Sequence, residues 1–580
     1  IPDISVRPAR MQYSGLVKRI IRFLSLNLSS IILIGAPLIA SSLMIFWDSK
    51  AVRCGWLVIV MALYWMFEVV PLPITSLMPV FMMPMLGILD SGAVTKMYMK
   101  ETAMMFLGGL MLALSVENCN LHRRIALKTL LIMGSSTRWL IIGFMLPTAF
   151  LSMWMSNTAT TAMMLPIIEA ILAELKKCRD TQKKDKGYGD QATPYAVDMN
   201  GSAVQGSQKS APPGEQCSDD DEFKTIRMTM MLAVAFAANI GGTGSLAGTG
   251  PNLILKGIVD GYGNTELNFA SWMLFAVPLS IVCIIFAWLW LQIYFLGFRK
   301  TFSRTTYKEE DSVIREVLKR SYDCMGSMSS HEISVAVLFT ATIMFWVFRD
   351  PGFITGWKSL FPDTLVGDSA PVFLILFLMF SLPAKASAVC DDFHGNSSTD
   401  GKVERIHSWP LIQSRVPWGT YILIGSGFAL SEGVKVSGLS HLISQQMAVL
   451  KMFHLNVIVL ITSSAIAMIT EITSNTATAT IALPVLLNMA VAIQVHPLYL
   501  MIPATLSCSF AFMLPVATPS NSLVYMTSGM KMKDMIKAGI IMNAVCLTSL
   551  NIFINTLGVT IYNLDEFPDW ALDLTNTTLS

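Results

Sequence analysis

The chain has 580 residues, of which 53% are hydrophobic and 14% are charged, and its formal net charge is +2. This composition excludes an ordinary soluble domain, because the apolar content exceeds what a soluble core of this length buries. Nucleic-acid binding is also excluded, because the basic residues form no patch. A metal site built from cysteines is not indicated, because the cysteines lack metal-ligand spacing. We therefore predict an all-α polytopic protein of the lipid bilayer.

The predicted elements begin with a basic segment, from Arg7 to Arg22, that precedes an apolar run at 31–46. By the positive-inside rule this pattern predicts a cytoplasmic amino terminus. The later apolar stretches predict roughly eleven crossings of the bilayer. The basic, Gly- and Ser-rich segment 176–225 is predicted to be a disordered cytoplasmic loop, and the sequon at Asn576 predicts glycosylation of an extracellular carboxyl-terminal tail.

A polar phrase occurs twice within the most apolar segments. "WMSNTATTAMMLP" spans Trp154 to Pro166, and "EITSNTATATIALP" spans Glu471 to Pro484. In the same order, "GGLMLALSVENCNL" at 108–121 resembles "IGSGFALSEGVKVSGL" at 424–439, and "GTGPN" at 248–252 resembles "ATPSN" at 517–521. Three matched features in one order predict two homologous halves.

The first copy lies in an uncharged stretch at 139–168. As one helix this stretch would be ~45 Å long, which exceeds the ~30 Å hydrocarbon core. We therefore interpret the polar phrase as the break of a membrane helix into two half-helices. Oxygens at the carboxyl end of one half suit sodium, and the amino end of the next suits an oxyanion. Because neither phrase contains Lys or Arg, an anionic substrate is expected to be balanced by helix dipoles and by bound sodium.

Simpler interpretations exist for each of these residues. Ser and Thr in membrane helices often bond the preceding turn, and Pro251 and Pro519 are also plain helix breakers. Glu117 and Glu471 are intramembrane carboxylates and hence functional candidates, but either one could instead satisfy hairpin backbone or a neighbouring hydroxyl. The duplication of the whole arrangement favours a binding site.

Several further motifs carry a family resemblance. They are "NLHRRIALK" at 120–128, "SMWMSNTATTAMMLPI" at 152–167, "TGPN" at 249–252, "VPWG" at 416–419, "HPLYLMIP" at 496–503, "SFAFMLPVATP" at 509–519 and "FPDWA" at 567–571. Together with the paired "SNTAT" phrases they resemble the divalent anion/sodium symporter family, most closely its animal branch of sodium-coupled dicarboxylate and citrate transporters. The match runs through nearly the whole chain outside the cytoplasmic loops.

The resemblance implies a plasma-membrane homodimer in which a transport domain of two hairpins and two broken helices moves against a fixed scaffold as an elevator. It also implies electrogenic uptake with several sodium ions per carboxylate substrate, and no cofactor besides sodium. The corresponding segments are scaffold helices at 1–96, a first transport repeat at 97–175, the cytoplasmic loop at 176–225, a transport helix at 226–266, further scaffold at 267–415, a second transport repeat at 416–560 and an extracellular tail at 561–580.

The resemblance also implies site residues. The first sodium site would use Ser152, Ser156, Asn157 and Gly250. The second would use Thr470, Thr473, Asn475 and Ala517. Substrate carboxylates would contact Asn157, Thr158, Thr249, Asn475, Thr476, Thr518 and Pro519.

Two positions depart from the family pattern, and a third bears on substrate choice. Ser426 stands at an expected hairpin tip where mammalian carboxylate transporters usually show a Gly run, and Ser520 stands where a second Pro is usual. Ala159 favours carboxylate over sulfate, because the sulfate branch tends to have Ser there. Within the family, sulfate uptake is the competing function. Outside it, the competing functions are an anion channel and an intramembrane enzyme, although the chain lacks the HExxH helix, the paired Asp residues and the G-x-S-x-G elbow of such enzymes.

Overall fold

The computed structural model describes residues 29–42, 44–45, 47–133, 137–189, 213–263, 266–297, 308–351, 354–361, 366–384, 405–440, 442 and 453–571. Regular structure in these ranges is helical, apart from one isolated β-bridge between Pro383 and Arg405. Among the described residues, seven helices are long and apolar enough to cross a membrane. The predicted all-α polytopic class is therefore confirmed. The basic amino-terminal segment and the Asn576 sequon lie outside the described residues.

In chain order the helices are α1 Ser29–Ser42, α2 Lys50–Phe67, α3 Leu72–Thr75, α4 Met78–Met85, α5 Ser91–Tyr98, α6 Glu101–Asn118, α7 Leu121–Met133, α8 Thr137–Ser152, α9 Asn157–Gly189, α10 Pro213–Gly242, α11 Gly250–Asp260, α12 Phe269–Leu291, α13 Lys308–Asp323, α14 Ser330–Val347, α15 Ser369–Ser381, α16 Trp409–Arg415, α17 Trp418–Val436, α18 Leu455–Thr470, α19 Asn475–Ile493, α20 Pro497–Ser507, α21 Pro519–Ser528, α22 Met532–Phe553 and α23 Val559–Tyr562. A 3₁₀ turn forms at Trp357–Leu360.

The two halves repeat the same run of elements. Helices α8 and α18 each have 16 residues, and each is followed by the polar phrase and a new helix that begins at Asn157 or Asn475. Helices α12 and α22 each continue into a five-residue π-helical turn, at Gln292–Leu296 and Ile554–Gly558. The correspondence thus extends well beyond the motifs from which it was predicted.

The polar phrases lie at the tips of helical hairpins, so the interpretation of each phrase as the break of a single membrane helix was wrong. In the second half, Asn456 at the start of α18 accepts a hydrogen bond from Tyr499 at the start of α20, and Thr470 at the end of α18 donates to the Cys508 carbonyl after α20. Helix α18 therefore runs parallel to α20. Helix α19 leads into α20 through a short turn and packs along it, so it runs back against α18.

The first half has the same geometry. Helix α9 runs antiparallel to α10, since Asn157 contacts Asn239 near the end of α10 and Glu169 pairs with Arg227 further back. The tip of α8 also meets the end of α10, where Gly241 lies against Ala149. An arm of 16 residues is about 24 Å long, too short to span the membrane alone. Hydropathy does not report the direction in which a helix runs. An uncharged segment therefore has the same hydropathy pattern whether its two helical arms are collinear or antiparallel.

The true helix breaks follow the hairpins. Helix α10 stops at Gly242 and α11 begins at Gly250, while α20 stops at Ser507 and α21 begins at Pro519. The preceding threonines have matching extended backbones, with φ −141° and ψ 152° at Thr249 and φ −140° and ψ 149° at Thr518. Both breaks therefore have the same local backbone conformation, and "GTGPN" and "ATPSN" lie where the second helix of each break begins.

Two further expectations are corrected. Ser426 is no hairpin tip, because α17 runs unbroken through it and the neighbouring Gly425 packs on Tyr98. The segment 176–225 is helical at both ends, since α9 extends to Gly189 and α10 begins at Pro213. Its helical ends contain Lys, Arg, Gln and Glu, which favour helix, and propagation from an existing membrane helix avoids the cost of nucleation. Residues 190–212 lie outside the described residues.

Candidate functional site

Each hairpin tip is closed by a hydroxyl placed between two acceptors. Ser152 Oγ lies 2.6 Å from Asn157 Oδ1 and 2.8 Å from the Ala238 carbonyl oxygen. Thr470 Oγ1 lies 2.8 Å from Asn475 Oδ1 and 2.8 Å from the Cys508 carbonyl oxygen. The hydroxyl can donate its single proton to either acceptor, so its lone pairs remain available to a third partner.

The first turn of each returning arm is also held by polar contacts. Thr160 Oγ1 donates to the Ser156 carbonyl at 3.1 Å, and Thr478 Oγ1 donates to the Ser474 carbonyl at 3.1 Å. In the second tip, Thr473 Oγ1 and Thr478 Oγ1 are also 2.7 Å apart. The polar side chains of the repeated phrase therefore form hydrogen bonds at and beside each non-helical tip.

Glycines bring the tips against the broken helices. A Cβ on Gly242 would lie 2.5 Å from Asn157 Oδ1, and a Cβ on Gly250 would lie 2.6 Å from Thr476 Oγ1. Only glycine allows this approach without displacing a neighbour. Because Gly250 belongs to the first half and Thr476 to the second, the two halves meet at this point.

An amide chain joins the halves at the same place. Asn157 Nδ2 donates to Asn239 Oδ1 at 3.4 Å, and Asn239 Nδ2 donates to the Ala511 carbonyl at 3.2 Å and lies 3.4 Å from Asn521 Oδ1. Asn252 and Asn521 hold the two break loops in the same way, with Nδ2 contacts of 2.8 Å to the Ser245 carbonyl and 2.8 Å to the Ala511 carbonyl. Sequence reasoning missed Asn239, although an Asn within an apolar helix was a visible signal.

The helix packing is reciprocal. Helix α11 of the first half packs on α19 of the second, and α21 of the second half packs on α9 of the first. Reciprocal contacts of this kind indicate a two-fold relation between the halves. The amino ends of these four helices gather around the tips, where backbone N–H groups favour an anion, and the tip oxygens favour a hard cation.

The predicted site residues divide by their placement. The structure brings Ser152 to Asn157, Thr470 to Asn475, and Gly250 to Thr476. The site residues that are partly or fully exposed are Ser156, Asn157, Thr158, Thr249, Asn475 and Pro519. The site residues that are buried are Ser152, Gly250, Thr470, Thr473, Thr476, Ala517 and Thr518. Thr518 Oγ1 accepts from the Asn521 N–H at 3.3 Å. Within the described residues no hydrogen bond joins Ala517 or Pro519 to the second tip.

The two carboxylates predicted from the sequence to lie in the membrane have different environments. Glu471 is 1% exposed and accepts from the backbone N–H groups of Phe512, Met513 and Leu514 and from Asn543 Nδ2, at 2.8 to 3.1 Å. It therefore satisfies backbone at the second break. Glu117 lies at the protein surface and pairs with Arg415 at 2.8 Å.

These features define the class of protein. Two halves related by two-fold packing, with paired hairpin tips and broken helices that offer both oxygens and helix amino ends, are typical of a multi-pass membrane transporter. The chain belongs to the family described as the sodium:sulfate symporter transmembrane region, which matches residues 23–564. The resemblance noted in the sequence is confirmed.

Similar proteins share most of the chain. It is 40% identical over 564 residues to the Na(+)/citrate cotransporter of Rattus norvegicus, covering 94% of this chain and 97% of that one. It is 37% identical over 568 residues to Na(+)/dicarboxylate cotransporter 3 of Homo sapiens, with 93% and 94% covered. It is 36% identical over 550 residues to the protein I'm not dead yet of Drosophila melanogaster, with 92% and 90% covered. The family and these cotransporters are transporters, so an enzymatic function is rejected.

Proposed function

We propose that this protein is a symporter that couples inward sodium flow to the uptake of di- or tricarboxylates such as succinate and citrate. The observation that carries the proposal is the pair of equivalent hairpin tips, each with a hydroxyl shared between an Asn carboxamide and a backbone carbonyl. The names of the similar citrate and dicarboxylate cotransporters support a carboxylate substrate.

In this proposal each tip contributes to one sodium site. The first sodium is held by Ser152, Ser156, Asn157 and Gly250, and the second by Thr470, Thr473, Asn475 and Ala517. Neutral oxygens of hydroxyl, carboxamide and backbone groups suit a hard monovalent cation. Each bound ion then adds a positive charge beside the helix amino ends.

The anion binds between the tips in this proposal. Its carboxylates contact Asn157, Thr158, Thr249, Asn475, Thr476, Thr518 and Pro519. The Gly250 to Thr476 approach supports this placement, because it brings residues of both halves to one position. None of the site residues is Lys or Arg, so the substrate charge is balanced by sodium and by helix dipoles. Binding of sodium and of anion is therefore interdependent.

Transport proceeds, in this proposal, by movement of a domain containing both tips against a scaffold, in a plasma-membrane homodimer with cytoplasmic amino and extracellular carboxyl termini. The two-fold packing of the halves supports alternating access, because a two-fold related structure can open to either side by equivalent movements. No cofactor is needed beyond sodium as the coupling ion.

Uptake by proteoliposomes tests the proposal. Labelled succinate, citrate and sulfate are supplied with an inward sodium gradient and, separately, with choline in place of sodium. Sodium-dependent carboxylate uptake supports the proposal, whereas sulfate uptake without carboxylate uptake supports the sulfate function that the family description names.

Variants at the tips refine the test. Asn157→Ala and Asn475→Ala are each expected to raise the sodium requirement and nearly abolish uptake while the protein still reaches the membrane. Asn118→Ala, at an exposed position at the end of α6, is the matched control and leaves uptake unchanged. Normal uptake by both tip variants refutes the residue assignment.

A further inference from the structure

We propose that Asn239 is a positioning residue, which orients the Asn157 carboxamide and couples the first hairpin tip to the broken helix of the second half. This inference rests on the proposed sodium-coupled function. It assigns a role to a residue that belongs to neither repeated phrase.

Asn239 lies in the last turn of α10 and is fully buried. Its Oδ1 accepts from Asn157 Nδ2 at 3.4 Å, and its Nδ2 donates to the Ala511 carbonyl at 3.2 Å. Asn521 Oδ1 lies 3.4 Å from the same Nδ2. One side chain therefore contacts the first tip at one end and the second break loop at the other.

The second half has no equivalent of this contact among the described residues. The Ala238 carbonyl accepts from Ser152, and the Cys508 carbonyl accepts from Thr470, so the next residues, Asn239 and Ser509, occupy matching positions. Ser509 Oγ is buried and has no hydrogen-bond partner within the part of the chain that the structure describes. The pseudo-symmetric site is thus asymmetric at this position, and the asymmetry comes from a single carboxamide.

This contact orients the Asn157 amide. A carboxamide has an oxygen end and an NH₂ end of nearly equal size, and only the oxygen end is a cation ligand. Asn239 Oδ1 receives the NH₂ end of Asn157, which directs Asn157 Oδ1 towards Ser152. Without Asn239 the amide can turn over, and the first site then loses an oxygen ligand for part of the time.

The other end of Asn239 provides the coupling. Ala511 and Leu514 carbonyls both accept from Asn521 Nδ2, at 2.8 and 3.1 Å, so Asn239 joins a network that shapes the loop before α21. A cation that orders this loop stabilises the Asn239 orientation, and hence the Asn157 orientation. Sodium binding at one tip is therefore expected to favour binding at the other.

The experiment uses the full chain with the substitution Asn239→Ser, which matches the internal counterpart Ser509. Carboxylate uptake by proteoliposomes is titrated with sodium, and sodium-dependent thermal stabilisation of the purified protein provides a second readout that needs no transport. Loss of the contact is expected to raise the sodium concentration for half-maximal uptake about threefold to tenfold, to lower the Hill coefficient and to leave the amount of protein in the membrane unchanged. Asn239→Ala is measured in parallel.

Ser509→Ala is the matched control, because it alters the equivalent buried position without removing a hydrogen bond, and it is expected to keep both sodium titrations unchanged. Unchanged titrations in Asn239→Ser and Asn239→Ala overturn the inference. A lower maximal uptake with no shift in either sodium titration also overturns it, since a merely structural role predicts that result. Absence of sodium-dependent uptake in the wild-type protein refutes instead the proposed function.

Discussion

Replacement of Glu471 tests how the second helix break is held in shape. Oε1 accepts from the Phe512 and Met513 N–H groups and from Asn543 Nδ2, at 2.8, 3.0 and 2.9 Å, and Oε2 accepts from Met513 and Leu514 at 3.1 and 3.0 Å. Glu471→Gln replaces one acceptor oxygen with an NH₂ group that faces buried N–H donors. An unsatisfied buried donor costs about 1–3 kcal/mol, so losing the partners of one oxygen lowers the free energy of unfolding by about 2–5 kcal/mol.

The assay compares thermal unfolding of purified Glu471→Gln with that of Glu117→Gln. Glu117 pairs with Arg415 at the protein surface, where an ion pair contributes about 0–1 kcal/mol. We expect a clear loss of thermal stability for Glu471→Gln, a small change for Glu117→Gln, and a higher sodium requirement only for the former. Equal melting temperatures for the two variants would refute the account of Glu471 as the residue that holds the loop.

Two further predictions concern the close approach at Gly250 and the buried ion pair of Arg124 with Glu332. Gly250→Ala places a Cβ 2.6 Å from Thr476 Oγ1. We expect this overpacking to cost about 1–3 kcal/mol in the substrate-bound arrangement. That cost corresponds to an apparent substrate affinity about fivefold to hundredfold weaker in an uptake titration. Gly109→Ala, whose Cβ would meet its nearest atom at 3.8 Å, is the control, and equal affinities for both variants contradict the predicted contact. Glu332→Gln leaves the buried Arg124 guanidinium without the carboxylate 3.2 Å from its Nε; a loss of about 3–5 kcal/mol in unfolding free energy is expected, and unchanged thermal unfolding argues against it.

The sequence indicated which polar residues lie together, but not the path of the chain through them. The repeated phrase marked the two positions that the structure places at hairpin tips, where a Ser or Thr five residues before each Asn makes the same hydroxyl contact in both halves. The relative direction of the two helical arms beside each phrase was not predictable, because the choice between collinear and antiparallel arms depends on packing against α10 and α20. The composition of the segment does not show which helices pack against it.

Asn239 shows a second limit of prediction from repeats. It lies in "AFAANIGG", has Ser509 as its counterpart, and so gives no repeated pattern. The burial of an Asn among alanines was a local signal, but its partners Asn157 and Ala511 are distant in the chain and become apparent only from the fold. The role of Ser426 was mispredicted for a related reason, because glycine and serine also occur inside a closely packed helix such as α17.

The most direct test of the central claim is sodium-dependent uptake in proteoliposomes, measured together with the current for each substrate molecule moved. We predict that succinate or citrate enters only with sodium and that the current is inward, because more sodium charge than substrate charge crosses the membrane. Uptake of sulfate alone, or a current that persists when choline replaces sodium, would contradict the account.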